Sequence, residues 1–139
     1  MNNRYLYRAK RCDTGEWVVG SYVYTFAPDK KCHVVGVMEE NYWIVEENGN
    51  MVLVDKDTIC QCTGLRDKNG KLIWENDIMV SHLDDRFPED ATYTRVVWNN
   101  NGFCTKEQGS DDIFPLDKFD QENFEVCGNL FDNPELLEK

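Results

Sequence analysis

The sequence predicts a mainly β fold built from antiparallel hairpins. Short runs of β-branched and aromatic residues recur along the chain, several of them alternate in polarity, and Asn-Gly pairs separate them. No long segment shows the 3.6-residue period of an amphipathic helix. With 139 residues, of which 41% are hydrophobic, the chain can bury a real core as one domain or as two small lobes.

Turn signals in the sequence set the expected ends of the strands. Hairpin turns are predicted at residues 13–15, 48–49, 69–70 and 101–102. The last three are Asn-Gly pairs, and both residue types tolerate the positive φ angles of type I′ turns. The flanking runs predict strands at residues 5–8, 17–19, 42–45, 51–54, 93–98 and 103–105.

Alternation assigns faces to two strands near the C-terminus. One face of residues 92–98 takes Thr92, Thr94, Val96 and Trp98. One face of residues 124–131 takes Phe124, Val126, Gly128 and Leu130. The polar stretch of residues 84–90 is expected to form a surface loop between strands.

Short helical turns are expected only near the C-terminus. Asn133-Pro134-Glu135 offers an N-cap, a first-turn proline and an acid at the positive end of the helix dipole. A second turn is expected within residues 111–120, where Pro115 limits its length.

The net charge of −11 is unevenly placed along the chain. Residues 1–31 hold six basic and three acidic side chains, whereas residues 107–139 hold ten acids and two lysines. The basic residues of the first segment are Arg4, Arg8, Lys10, Arg11, Lys30 and Lys31. An acidic field repels phosphate backbones, so it favours solubility, or docking on a basic protein, over nucleic-acid binding.

The chain is expected to be cytoplasmic. Its first residues carry no apolar signal segment, and no run approaches the roughly 18 apolar residues of a membrane span. In a reducing compartment its six cysteines are expected to be free thiols.

Cys60 and Cys62 share a strand face and could reach one metal ion, with Cys32-His33 or His82 completing the site. Buried small hydrophobes explain these cysteines more simply, so no cofactor or metal is assigned.

The spacing of residues in this chain does not match known motifs for phosphate binding or catalysis. Five residues separate Gly64 and Gly70, whereas a P-loop needs four, and Leu72 stands where Ser or Thr must follow the lysine. Ser81 precedes His82 directly, so their side chains would point to opposite faces of a strand. We therefore expect no enzyme activity and assign no catalytic residue.

The aromatic residues admit two interpretations. They could stack on single-stranded nucleic acid beside the basic N-terminal segment, or they could pack in a β core. Core packing is favoured, and nucleic-acid binding remains the alternative function. The residues concerned are Trp17, Tyr22, Tyr24, Tyr42, Trp43, Trp74, Trp98 and Phe103.

Three segments in this order resemble the YopX-like family of phage and prophage proteins. Residues 61–78 (QCTGLRDKNGKLIWENDI) resemble its hallmark segment, residues 5–20 its N-terminus, and residues 124–137 its C-terminus. Asn76 departs from the glycine usual there, and asparagine is the next best residue at positive φ. The resemblance implies a small barrel-like (SH3-like) fold and carries no catalytic residues.

The resemblance and the charge together predict a phage- or prophage-derived accessory protein. We expect it to bind a host or phage protein through an acidic surface, without catalysis, and homo-oligomers stay possible. A single domain over residues 1–139 is expected, with a possible division into a β lobe of about residues 1–62 and a barrel-like lobe of about residues 63–139. The last 33 residues are where the partner-binding face is sought first.

Overall fold

A computed structural model describes residues 5–28, 38–82, 91–100 and 102–138. The chain is mainly β, with antiparallel strand pairing in both of its sheets. It divides into two compact units at the bond between Gln61 and Cys62. The strands are β1 (Tyr7–Lys10), β2 (Trp17–Pro28), β3 (Met38–Val45), β4 (Met51–Leu53), β5 (Cys60–Arg66), β6 (Leu72–Trp74), β7 (Asp77–His82), β8 (Ala91–Asn99), β9 (Gly102–Glu107), β10 (Ile113–Pro115) and β11 (Glu125–Asn129). One α-helix, α1, spans Lys118–Asn123, and 3₁₀ turns span Lys56–Thr58 and Pro134–Leu137.

In the N-terminal unit the strands lie in the order β4-β3-β2-β1, and Cys60 and Gln61 of β5 pair with β1. Every second side chain of a strand points to the same face of the sheet. One face carries an aliphatic core, which consists of Ala9, Val18, Ile44, Val52 and Val54. Gly20 lies where β2 meets the backbone of Val45, and a Cβ there would overlap the Val45 carbonyl oxygen. Glycine is therefore required by the close approach of two strands.

The C-terminal unit holds a five-stranded sheet with the order β10-β9-β8-β7-β11. Its core is built from Ile73, Met79, Val96 and Phe124. In β8, Thr94 and Val96 are buried while the residues between them are half-buried, as the alternation predicted. Trp98 shares their face but is exposed, because the strand runs past the end of the core.

The predicted hairpins at residues 13–15, 48–49 and 69–70 are confirmed by the pairing of the strands that flank them. The turn type is not I′ at the two Asn-Gly pairs. Gly49 and Gly70 have φ angles of 91° and 84°, whereas the asparagines before them do not adopt positive φ. A type I′ turn needs positive φ at both central residues.

The predicted turn at Asn101-Gly102 is displaced by one residue. Gly102 belongs to β9 and pairs with Asn99, and Asn100 has a φ of 48°. Asn101 itself lies outside the described residues, as does the loop predicted at residues 84–90.

The last predicted strand is interrupted by a bulge. The register of β11 against β7 shifts between Val126 and Gly128, so one residue, Cys127, is inserted. Asn129 rather than Gly128 is consequently buried. The simple alternation predicted for residues 124–131 is therefore wrong beyond Val126.

The helical segments differ from the sequence patterns in type and place. Pro134–Leu137 is a 3₁₀ turn, and the Asn133 side chain does not cap it but accepts a hydrogen bond from the Asn129 N–H. The region predicted at residues 111–120 contains β10, and α1 begins only at Lys118. Over the described residues neither sheet closes on itself, so the small barrel that the resemblance implied is not found. The SH3-like relation stays a prediction.

Candidate functional site

The cysteine pair of β5 is buried among backbone partners. Cys60 and Cys62 are both fully buried. The Cys60 thiol donates to the Thr58 carbonyl at 3.2 Å, and the Cys62 sulfur accepts from the Gly64 N–H at 3.4 Å. Within the described ranges no three His, Cys, Asp or Glu side chains gather in a way that could hold a metal ion. Of the other proposed ligands, Cys32 and His33 lie outside those ranges, and His82 is the last residue of β7.

The structure brings part of the basic N-terminal segment together. The Arg8 guanidinium lies 4.7 Å from the centroid of the Trp17 ring, and the Lys10 ammonium lies 5.4 Å from it. Both are cation–π distances, so the two cations cover the ring of the tryptophan between them. Arg11 forms a bidentate ion pair with Asp13, with both bonds at 2.9 Å. This hydrogen bond lowers the pKa of Asp13 to about 2.

The aromatic residues do not form one platform. Tyr22, Tyr24 and Tyr42 extend the core face of the N-terminal unit, with rings 5.2 Å apart for Tyr24 and Tyr42. Trp43 is on the opposite face, where its Nε1 donates to Thr25 at 2.9 Å. In the C-terminal unit Trp74 is buried, and Trp98 lies edge-on to Phe103. Core packing accounts for Trp74, as the sequence favoured, and the exposed rings are divided among separate surfaces.

Asp67, in the turn between β5 and β6, is a buried structural carboxylate. One oxygen accepts hydrogen bonds from the N–H groups of Asn69 and Lys71, each at 2.9 Å. The other accepts from the Val126 N–H at 2.8 Å, which ties the turn to β11. Three backbone donors offset the cost of burying this charge.

Asp77 organises the tight turn between β6 and β7 in a similar way. Its carboxylate is buried and accepts from the Trp74 N–H at 2.7 Å. Asn76 has a φ of 69°, which confirms the positive φ expected where the family usually has glycine. Two acids of residues 61–78, Asp67 and Asp77, therefore have structural roles.

A different acidic group lies in the C-terminal segment. A cavity of about 290 Å³ is bordered by Glu107, Asp117 and Asp120. Its walls also include three phenylalanines and three threonines, namely Phe114, Phe119, Phe124, Thr92, Thr94 and Thr105. We call this cavity the acidic pocket.

Local hydrogen bonds hold two of its carboxylates in place. Asp117 caps α1 by accepting from the Asp120 N–H at 3.2 Å, and Asp120 accepts from the Asp117 N–H at 3.1 Å. This capping box brings two like charges together at the start of the helix. Burial raises the pKa of Asp120, and the charge of Asp117 raises it further.

The floor of the acidic pocket contains a buried hydroxyl. Thr94 is only 6% exposed, and its Oγ1 has no hydrogen-bond partner among the described residues. Thr105, on the neighbouring strand, donates to the Phe114 carbonyl at 3.4 Å. The sequence identified the acidic segment but missed Thr94 and Phe124, whose only sequence signal was their alternation in two predicted strands.

The family assignment agrees with this architecture. The family model described as YopX protein matches residues 6–138, and the chain belongs to that family. No curated protein matches the chain. Among solved structures, the chain is similar to the crystal structure of protein EF1440 from Enterococcus faecalis, with 21% identity and a TM-score of 0.51. The match covers 94% of this chain and 96% of that one, and it shows the fold alone.

The described ranges contain no helix with the length and apolar character needed to cross a membrane.

Proposed function

We propose that this chain is a non-catalytic protein-binding module that engages its partner through the acidic segment of residues 107–138. The observation that carries the proposal is the mixture of exposed apolar rings with acids in that segment. Ile113, Phe114 and Phe119 are 43%, 56% and 64% exposed. Aromatic side chains are enriched at protein interfaces, and surrounding acids select a basic partner by repelling acidic ones.

Among the described strands, the one in this segment lies at the edge of its sheet. β10 is at the end of the sheet order and all three of its residues are exposed. An edge strand offers unpaired backbone groups to another chain, and its side chains add specificity. Apolar rings, acids and an available edge together suit a protein better than a nucleic acid.

We infer a phage or prophage accessory role from the resemblance of residues 61–78 to the hallmark segment of the YopX-like family. The expected partner is a host or phage protein. We also propose a cytoplasmic location, where the buried thiols of Cys60 and Cys62 would stay reduced.

Site-specific photo-crosslinking in the host cell tests the proposal. A photoreactive phenylalanine analogue replaces Phe119, and the matched control places it at Met51, which is also exposed but lies in the N-terminal unit. We expect one protein to be captured in stoichiometric amount from position 119 and not from position 51. Equal capture from both positions, or none from position 119, would contradict the proposed surface.

Nucleic-acid binding through the N-terminal segment is the second candidate. One observation favours it: Arg8, Lys10 and Trp17 share one face of the sheet. The same geometry limits it, because the cations already cover the Trp17 ring on which a base would stack.

A gel shift at low salt tests this candidate with single-stranded DNA, double-stranded DNA and RNA. Binding that is lost in the double variant Arg8→Gln/Lys10→Gln supports nucleic-acid recognition. Absence of a shift with all three probes at 50 μM protein eliminates it.

A further inference from the structure

We propose that the acidic pocket is an anchor site for a single arginine side chain of the partner protein. The inference rests on the proposed function and deepens it, since it names the pocket and the chemistry that would fill it. Four properties of the pocket support it: charge, an unsatisfied hydroxyl, aromatic walls and size.

The negative charge of the acidic pocket favours the binding of a cation. Glu107, Asp117 and Asp120 border one cavity, and the lysines nearest in sequence pair with other acids. Lys118 lies 3.7 Å from Glu122, and Lys106 lies 3.9 Å from Asp111. In the described part of the chain these lysines thus form their ion pairs away from the pocket. A bound cation would relieve the repulsion between Asp117 and Asp120.

The Thr94 hydroxyl belongs to the pocket lining and has no hydrogen-bond partner among the described residues. A buried hydroxyl without a partner is unfavourable, and such groups are rare in native proteins. Thr94 lines the cavity and is more than nine-tenths buried. A ligand that donates a hydrogen bond would satisfy its oxygen, and the acceptors around it are carboxylates.

The walls and the volume favour a planar cation of side-chain size. Phe114, Phe119 and Phe124 contribute aromatic surface, on which a guanidinium stacks better than an ammonium ion. Guanidinium has five donors and no acceptor, which matches a site made of carboxylate and hydroxyl oxygens. The volume of about 290 Å³ lies at the lower end of ligand pockets and suits one side chain.

The rim of the pocket indicates that the arginine belongs to a protein. Phe114 lies on β10, whose exposed edge can pair with an extended segment. Phe119 projects from α1 and is well exposed. Arginine is enriched among the residues that dominate interface energetics, and such residues fill pockets surrounded by apolar contacts.

The test is an NMR titration of the full chain with Ac-Gly-Ser-Arg-Ser-Gly-amide, a peptide with blocked termini whose only charge is the guanidinium, at 150 mM salt. We expect saturable shifts of the Thr94, Phe119 and Phe124 amides. The citrulline peptide, which keeps the shape without the charge, should cause none, and the lysine peptide should bind at least about threefold more weakly. Equal binding of the arginine and lysine peptides, with shifts spread over all acids, would show non-specific attraction and overturn the proposal.

Variants separate the pocket from the general charge. Asp117→Asn removes a charge while keeping a good N-cap, and we expect it to weaken arginine binding by about fivefold or more. Glu107→Gln should act in the same direction. Asp112→Asn, an exposed acid of the same segment outside the pocket, should leave the affinity unchanged. An equal loss in all three variants would contradict a localised site.

Thr94→Val distinguishes a ligand-binding hydroxyl from a structural one. Valine has the same shape, so we expect the thermal midpoint of the free protein to rise while arginine affinity falls. A fall in the thermal midpoint with unchanged affinity would assign Thr94 to the fold and overturn its role.

If the peptide does not bind but crosslinking from position 119 still captures one protein, the pocket proposal fails and the proposed function survives. If the peptide binds and crosslinking fails, the pocket recognises arginine outside the proposed protein complex. Self-association of the chain without peptide, abolished by Asp117→Asn, would assign the pocket to a second copy instead.

Discussion

The two units of the chain differ in the number of polar side chains that they bury. Among the described residues, the N-terminal unit buries one polar side chain, Thr58, whereas the C-terminal unit buries seven, including Asp67, Asp77 and Asp120. The first unit is organised by apolar strand faces, and its ion pair between Arg11 and Asp13 lies at the surface. The second is organised by carboxylates that bind backbone N–H groups. Buried carboxylates are therefore a structural device in one unit, and the acidic pocket places three carboxylates beside aromatic and threonine side chains.

The largest expected effect comes from removing the buried carboxylate of Asp67. Asp67→Ala leaves the N–H groups of Asn69, Lys71 and Val126 without their acceptor, so we expect a loss of about 3–5 kcal/mol in the free energy of unfolding. Urea unfolding measures it. The control is Asp55→Ala in the N-terminal unit, an exposed cap with one such bond, which should cost about 1 kcal/mol. Similar losses for both variants would remove the distinction between the units.

A backbone contact provides the matching test for the N-terminal unit. Gly20→Ala places a Cβ against the Val45 backbone, so β2 and β3 must separate, and we expect a loss of about 2–3 kcal/mol. Gly102→Ala is the control, since nothing lies within 4 Å of its added Cβ, and it should change the unfolding free energy by less than about 1 kcal/mol. Unaltered stability of Gly20→Ala would show that the strands are not held that closely.

A smaller effect is expected at the turn between β6 and β7. Asn76→Ala puts a residue with little tolerance for positive φ at 69°, and it should lose about 1 kcal/mol of unfolding free energy. Asn76→Gly restores the residue usual in the family and should stay within about 0.5 kcal/mol of the natural chain. If alanine and glycine behave alike in thermal unfolding, the backbone of this turn is not the constraint.

The smallest effect is a difference in titration between exposed and buried acids. Asp13 should titrate at about 2 in NMR, because Arg11 favours its charged form, and Arg11→Gln should return its pKa towards its ordinary value of roughly 4. The contribution of Asp13 to stability is present above that ordinary value and is lost as pH falls through about 2. The pKa of Asp120 is raised, so its contribution to stability depends on pH in the opposite way. That contribution is complete at pH values below the ordinary pKa of an aspartate, and it is lost as the pH rises through the pKa of Asp120 in the folded protein. A shared titration midpoint would contradict this contrast.

Local sequence chemistry predicted the hairpins well because each depends on a few neighbouring residues. The turns at Gly15, Gly49 and Gly70 all use positive φ at glycine. Sequence could not place the bulge at Cys127, because a bulge depends on the register of β11 against β7. It also could not distinguish the acids of residues 61–78 from those of residues 107–120. Both sets read as polar surface until their partners were known.

The sequence by itself determined the mainly β class, the order of the hairpins, the family resemblance and the uneven charge. These follow from short-range rules of φ preference, side-chain alternation and net charge, which need no knowledge of distant contacts. Only the tertiary structure decided that Asp67 and Asp77 are buried against backbone donors while Glu107, Asp117 and Asp120 border a cavity. Asp67 and Val126 are far apart in sequence and meet in a hydrogen bond, and Thr94 and Asp120 line the same cavity. Burial and hydrogen-bond partners depend on such long-range contacts, and they separate a structural carboxylate from a candidate binding site.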